Sequence, residues 1–569
     1  MAFNVSTEAG YAVLFTVLCI FTTLAVISAG YLNFALPKSV QDLLVGHKQQ
    51  SDKDEDINAS SGGLLATDFF LSARDSTGTF GIAMSFFASG MGAWVVYGTT
   101  EMGANPQLSW LGVLGYAIAS AIPGVFVMWL GPLVKEATKG EEAFSTTDFC
   151  RVRYGRVMQL SCAAISVFYM WIYLVAEFTS ISNIFATLVV EQGFAQKYTS
   201  GIAISVGVFT VFYTGLGGLP ASIITDKFQG IMMASLVLLL TIAVCSVPEN
   251  RITPEQYAVA ANFTADGFYA LVTLIIAIIS AELFNQATWQ RVWAAKDTPS
   301  LRKGFGLGST LVFFLMVFFG IMGMIAYAKD PASYDSFAKF AFLAFFDLLE
   351  PMAKGWHILV LIFVTSLAAS SVDSLQNGIT SILSHDFLKF GANPGLIRWL
   401  NRAVLVGVNI AAIVKSAQRY DVLALFLVAD LVCATSVCPI FMGLLNPEKY
   451  GVLSPTELGA FMGCIGGIAT VLVAGVIVDS STYASNPFEW FWLRDPSALC
   501  ALCGTNRMWT FIVVPIISVI FTVVFTFADI KIRGGRKPLV AFAFDEKKAD
   551  EKDIEDGEEH FKSEVEVEA

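Results

Sequence analysis

The sequence predicts an all-α polytopic membrane protein, and three observations carry that prediction. Of the 569 residues, 55% are hydrophobic and 14% charged, with a mean hydropathy of +0.64; soluble domains carry roughly 25% charged residues. Apolar runs of about 20 residues recur along the chain, each able to cross a hydrocarbon core of about 30 Å. Lys and Arg collect in alternate connections, as expected where basic loops stay inside. Thirteen spans can be drawn, at 10–34, 79–104, 109–134, 157–189, 200–216, 220–246, 268–290, 304–327, 355–385, 399–416, 420–446, 456–479 and 509–530.

The first apolar stretch is too long for a removable leader and lacks a basic start and a small-residue cleavage site, so it is expected to stay as a span. The polar connection 35–78, with Asp52, Lys53, Asp54, Glu55 and Asp56, reads as a cytoplasmic linker. The second span contains Ala88-Ser89-Gly90-Met91-Gly92-Ala93-Trp94. Two glycines flanking Met91 weaken helix hydrogen bonding in mid-membrane and free carbonyl oxygens, as discontinuous helices do at transporter ion sites. Close packing through small residues is the competing use of the same glycines.

The third span runs into 135–156, which holds Lys135, Lys139, Arg151, Arg153 and Arg156 and is placed inside. The fourth carries Glu177, one of four acids expected within the membrane; the others are Glu282 in the seventh span, Asp373 in the ninth and Asp430 in the eleventh. A charge at that depth costs about 2.5–3.5 kcal/mol on insertion scales and usually marks an ion or proton pathway. Between the fifth and sixth spans lies Gly217-Gly218-Leu219-Pro220-Ala221-Ser222-Ile223-Ile224-Thr225-Asp226-Lys227-Phe228-Gln229, a tight turn entering a helix.

The loop 247–267, with Arg251 as its one basic residue, belongs outside; it holds the sequon Asn262-Phe263-Thr264, and the leading segment holds Asn4-Val5-Ser6. Both Asn4 and Asn262 are therefore candidate glycosylation sites. The sequon at Asn58 falls inside. After the seventh span, 291–303 holds Arg291, Lys296, Arg302 and Lys303 and is placed inside. The ninth span concentrates Thr365, Ser366, Ser370, Ser371, Asp373, Ser374, Gln376 and Asn377. Ser370 and Ser371 point about 100° apart and can edge one small cavity, and Ser374 shares the face of Ser370. Hydroxyl oxygens there suit a weakly bound hard monovalent cation.

Cys500 and Cys503 fall in an outside loop where a disulfide can persist; the other seven cysteines lie in or beside spans. The thirteenth span ends in the basic cluster Lys531, Arg533, Arg536 and Lys537, which puts the C-terminus inside and the N-terminus outside. From Asp545 to Ala569, twelve acidic and four basic residues account for −8 of the net −12; the whole segment 531–569 reads as a disordered acidic tail. Four scattered histidines and no nucleophile constellation argue against an enzyme and against any organic cofactor, and nothing points to nucleic acid.

Several of these segments, taken together, resemble the sodium/solute symporter family. The Gly-Gly turn followed by Thr225-Asp226-x-x-Gln229 resembles its signature, and Ala88–Trp94 resembles the first core helix of its proline-carrying members. Ser370-Ser371, fifteen or sixteen residues ahead of Asp386, resembles the eighth core helix, and Trp289-Gln290-Arg291-Val292-Trp293-Ala294-Ala295-Lys296-Asp297 resembles the inside end of the sixth. The resemblance implies a leucine-transporter-type fold of two inverted five-helix repeats, 79–246 and 268–446, with the first span (1–34) before them and two further spans (456–530) after them.

It also implies a cation site made by the carbonyls of Ala88, Met91 and Leu367 with the hydroxyls of Ser370 and Ser371, holding Na+. Gly217, Gly218, Asp226 and Gln229 would gate it, with Asp226 at the cytoplasmic face. Trp94, Tyr97, Trp171, Tyr173, Asn285 and Gln286 become candidate substrate contacts, beside Glu282 and Asp430. One departure counts against tight sodium binding: the proline-carrying members have an acid and a serine where this chain has Gly90 and Gly92. Proton coupling through Glu177, Glu282, Asp373 or Asp430 is the alternative.

The expected function is alternating-access symport at the plasma membrane of a small nitrogenous solute, a proline-like amino acid or urea. A channel, or a sensor that has lost transport, are the rival classes.

Overall fold

The computed structural model describes residues 5–28, 72–139, 143–189, 196–336, 339–383, 394–418, 420–493, 500, 502–534 and 539. Among them every regular element is helical, with two isolated bridges, Val5 to Val189 and Thr77 to Ala295. Among the described residues, nine helices are long and apolar enough to cross a membrane, and eleven if each of two bent pairs counts as one span. The main helices are α1 (Thr7–Ser28), α2 (Thr79–Gly90), α3 (Trp94–Ala104), α4 (Ser109–Ala137), α5 (Arg156–Leu188), α6 (Gln196–Ser246), α7 (Ala265–Glu282) and α8 (Gln286–Ala294). They continue with α9 (Thr298–Lys329), α10 (Lys354–Ile382), α11 (Pro394–Ser416), α12 (Val422–Ala434), α13 (Val437–Phe441), α14 (Glu457–Val478) and α15 (Thr505–Arg533).

The second expected span is broken, with α2 and α3 meeting at 69°. The fifth and sixth are one 51-residue element, α6, about 76 Å long at 1.5 Å per residue and thus long enough for two crossings. The direction changes at Gly218, whose φ of 57° and ψ of −154° only glycine adopts readily, and Pro220 presets the turn that follows.

Two expected spans that read as continuous are interrupted. The seventh, 268–290, stops at Glu282 and restarts at Gln286, where the Asn285 side chain accepts from the Ala287 backbone N–H at 3.1 Å and caps α8. The eleventh, 420–446, bends by 43° between α12 and the short helices after it. There Pro439 offers no N–H to the carbonyl of Thr435, and the Thr435 hydroxyl turns back to Val432 O at 2.7 Å.

The middle of the protein is α10, in contact with α1, α2, α5, α6, α8 and α11. Its polar run is almost wholly enclosed: Thr365, Ser366, Ser370, Ser371, Asp373, Ser374 and Gln376 have no exposed surface. Gln376 donates to Thr210 Oγ1 and Asn409 Oδ1, which ties α10 to α6 and α11. The segment Ser384–Lys389 lies outside the described residues, as do Asn4, Asn58 and the acidic tail apart from 531–534 and 539; residues 531–533, expected to be disordered, continue α15. Cys500 and Cys503 are joined by a disulfide with their Cα atoms 5.0 Å apart.

The broken pair leans on α9 through glycines. A Cβ on Gly103 would sit 1.9 Å from the Gly320 carbonyl oxygen, and one on Gly323 would sit 2.1 Å from Thr100 O. Because the obstacle is backbone, a side chain must push the helices apart. We expect Gly103→Val to cost about 1–3 kcal/mol or more, read as a lowered melting temperature of purified protein. Gly306→Ala, whose nearest neighbour would be Met128 Sδ at 3.7 Å, should leave it unchanged.

Candidate functional site

The site begins with the gap between α2 and α3. Met91 is extended (φ −105°, ψ 103°), so backbone groups on both sides lose helical partners. Away from water each must find another. The Tyr173 hydroxyl donates to Gly90 O at 2.8 Å and itself accepts from Trp94 Nε1 at 2.8 Å. The Ser371 hydroxyl donates to Ser89 O at 3.1 Å, and the Ala93 N–H donates to Glu177 Oε2 at 2.9 Å. The break and the hydroxyl pair of α10 are thus in direct contact. Ala88 and Met91 flank the gap, and Leu367 lies one turn before Ser371, on the same face; all three are buried.

The two serines serve different neighbours. Ser370 donates to Asp226 Oδ1 at 2.6 Å. Asp226 is fully buried and ion-paired to Arg291 Nη2 at 2.7 Å. Ser85 donates to Asp226 Oδ2 and accepts from Arg291 Nε, while Arg291 Nη2 also reaches Ser374 Oγ at 2.8 Å. Ser374 and Ser222 both donate to Asp373 Oδ1. Among the described residues Asp373 Oδ2 has no partner, nor does either amide atom of buried Gln229. Gly217 and Gly218 sit at the turn that brings this end of α6 to the network. Arg291 is the residue the sequence reading misplaced: it counted as one of the basic residues of an inside segment, but lies wholly enclosed on α8.

Beside the gap is a pocket lined by Gly90, Met91, Trp94, Tyr116, Tyr169, Tyr173, Phe426, Glu282 and Asp430, among other residues, and by no Lys or Arg among the described residues. Phe426 stands edge-on to Trp94 at 5.4 Å and to Tyr173 at 5.1 Å, and Tyr116 tilts against Trp94 at 5.7 Å. Glu282 accepts from Tyr169 at 2.9 Å, Asn285 at 3.1 Å and Thr288 at 3.2 Å. Asp430, 4% exposed, accepts no hydrogen bond among the described residues.

Of the expected substrate contacts, Trp94 and Tyr173 line this pocket and four residues do not. Tyr97 packs on Phe342 and Phe346. Trp171 is half-buried in helix packing. Asn285 holds Glu282 from behind, and Gln286 donates to Phe144 O. Tyr116, Tyr169 and Phe426 went unread. The i, i+4 spacing that puts Tyr169, Tyr173 and Glu177 on one face of α5, and Phe426 with Asp430 on one face of α12, was the available signal. The sequon residue Asn262 is exposed in the connection between α6 and α7.

The model of the sodium:solute symporter family matches residues 69–467. The spermidine transporter DUR31 of Candida albicans is 27% identical over 423 residues, covering 73% of this chain and 75% of that protein. The sodium/proline symporter of Escherichia coli is 24% identical over 426 residues, covering 71% and 82%. Among solved structures, a substrate-bound, outward-open Na+-coupled sialic acid symporter aligns with a TM-score of 0.64 at 14% identity, over 94% of this chain and 99% of that one. Mhp1 in its inward-facing conformation aligns at 0.51 and 12% identity, over 81% and 92%. The fold is therefore that of the leucine-transporter class, as expected.

The buried pair makes a sharp demand on stability. Arg291→Ala leaves Asp226 enclosed without its counter-charge, which typically costs about 3–5 kcal/mol. Differential scanning fluorimetry of the purified protein should show a large drop in melting temperature, and Arg291→Ala with Asp226→Asn should recover part of it.

Proposed function

The chain belongs to the sodium:solute symporter family, and from that premise we propose that it couples sodium entry to uptake of a small aliphatic amine of the polyamine class. The observation that carries this reading is the charge of the pocket: two carboxylates, Glu282 and Asp430, inside an aromatic box with no lining cation among the described residues. Aromatic faces attract ammonium groups, more strongly when water is excluded. Asp430, enclosed and without a hydrogen-bond donor among the described residues, suits a partner that arrives with the substrate.

The half-helix start at α3 could receive an anionic group, but Glu177 already accepts the Ala93 N–H there. A proline-like amino acid would bring a carboxylate towards two acids, and urea would leave both acids uncompensated. That the Candida albicans relative is a spermidine transporter agrees with the amine reading. The proline-like amino acid remains the second reading, supported by the sodium/proline symporter relatives.

In this reading the cation site is the junction of Ala88, Met91, Leu367, Ser370 and Ser371. The same reading has the chain cross the plasma membrane thirteen times, with the N-terminus outside and the acidic tail inside.

Reconstitution in proteoliposomes tests it. Labelled spermidine should accumulate under an inward sodium gradient and be displaced by other polyamines but not by proline; displacement by proline alone would select the amino-acid reading. Asp430→Asn should raise the KM for spermidine about 10–100-fold, as loss of a charge-assisted contact does, without moving the half-saturating sodium concentration. Ser370→Ala with Ser371→Ala should raise that sodium concentration instead. Uptake indifferent to both sodium and pH would reject cation coupling altogether.

A further inference from the structure

We infer that Glu177 is the carboxylate of the cation site, delivered across the α2–α3 gap from α5 instead of from the broken helix itself. This rests on the coupling cation binding at the junction of the gap with Ser371.

The first observation is steric. A Cβ on Gly92 would lie 1.4 Å from Glu177 Oε1 and 2.2 Å from its Cδ, so the carboxylate occupies the space that any side chain at 92 would need. Gly92 and Glu177 are complementary: one is small because the other is there. Gly90, by contrast, has nothing within 4 Å of a would-be Cβ, so its lack of a side chain serves no such purpose.

The second observation is chemical. Glu177 is fully buried. Oε2 is held by the Ala93 N–H at 2.9 Å, while Oε1 has no hydrogen-bond partner among the described residues. A buried ionised oxygen without a partner is costly unless a cation or a proton meets it. Ser371 donates to Ser89 O while Glu177 accepts from the Ala93 N–H, so both side chains meet the same gap. The Ser371 oxygen keeps a lone pair free while its proton goes to Ser89 O. A hard monovalent cation placed there would meet a carboxylate, a hydroxyl and the carbonyls loosened at the gap, an all-oxygen set.

The third observation separates Glu177 from the substrate pocket. Glu282 and Asp430 line that pocket and Glu177 does not. A cation at the gap and a solute in the pocket would thus each meet a different acid.

The experiment measures sodium in two ways: sodium-induced thermal stabilisation of purified protein without amine, and half-saturating sodium for spermidine uptake. Glu177→Gln keeps an acceptor for Ala93 and loses the charge. It should raise both sodium constants about tenfold or more, with the spermidine KM at saturating sodium unchanged. Gly92→Ala should destabilise the wild-type background, and Glu177→Ala with Gly92→Ala should restore stability while keeping the weakened sodium response.

A folded Glu177→Gln protein with wild-type sodium constants, beside a Ser371→Ala protein with weakened ones, would overturn this assignment and leave the junction standing. If Ser371→Ala is also unaffected, the junction reading itself falls. Loss of pH dependence at unchanged sodium affinity would overturn it too, in favour of a proton. Should Glu177→Gln fail to fold, the Glu177→Ala, Gly92→Ala protein gives the same reading.

Discussion

The structure depends on the rule that a helix may break inside a membrane only if its freed backbone groups are met. At the gap between α2 and α3 three side chains meet them: Tyr173 takes Gly90 O, Ser371 takes Ser89 O, and Glu177 takes the Ala93 N–H. They come from α5 and α10, which pack against each other beside the broken pair. The bonds that make the break tolerable are therefore also the bonds that assemble the site. A continuous helix over 79–104 would need none of them and would leave Glu177 enclosed with no partner from α3.

The same arrangement joins two chemically distinct regions. Tyr173 has its ring in the pocket wall and its hydroxyl on the gap, where it also holds Trp94. Whatever orders the backbone at Gly90 thus orders two rings of the aromatic box. In the proposed reading, a cation that favours one geometry of the gap favours one geometry of the pocket, and by linkage the solute would favour the cation equally. No long pathway is needed, because one tyrosine touches both places.

Much of this was legible in the sequence. Gly90 and Gly92 around Met91 announced the break, and the hydroxyl run of α10 announced what it would meet. That these two stretches meet was the expectation on which the rest hung, and Ser371 on Ser89 O is one place where they do. What was not legible has a common cause: long-range pairing between motifs leaves no periodic trace. Asp226 and Arg291 stood in two separately noticed motifs, 65 residues apart, and each was read as a charge near water. Only the fold shows them as one buried pair. The breaks at Leu283–Asn285 and Thr435–Ser436 were missed because neither carries a glycine pair like Gly90 and Gly92 to mark it. The pocket was half seen, since an aromatic at helical spacing looks the same whether it faces substrate, lipid or another helix.

The charges inside the core point in one direction. Glu177, Asp226, Glu282, Asp373 and Asp430 gather around the gap, the pocket and the turn of α6, against one wholly enclosed guanidinium, Arg291, which Asp226 engages directly. A core with this balance is unfavourable when empty and relieved by cations. Two separate acid sites, one at the gap and one in the pocket, give each positive ligand its own counter-charge, so that their mutual repulsion does not oppose joint binding. A carrier of a neutral solute would need only the first. The second is what an amine substrate would require, so that in the proposed reading each positive ligand has an acid of its own.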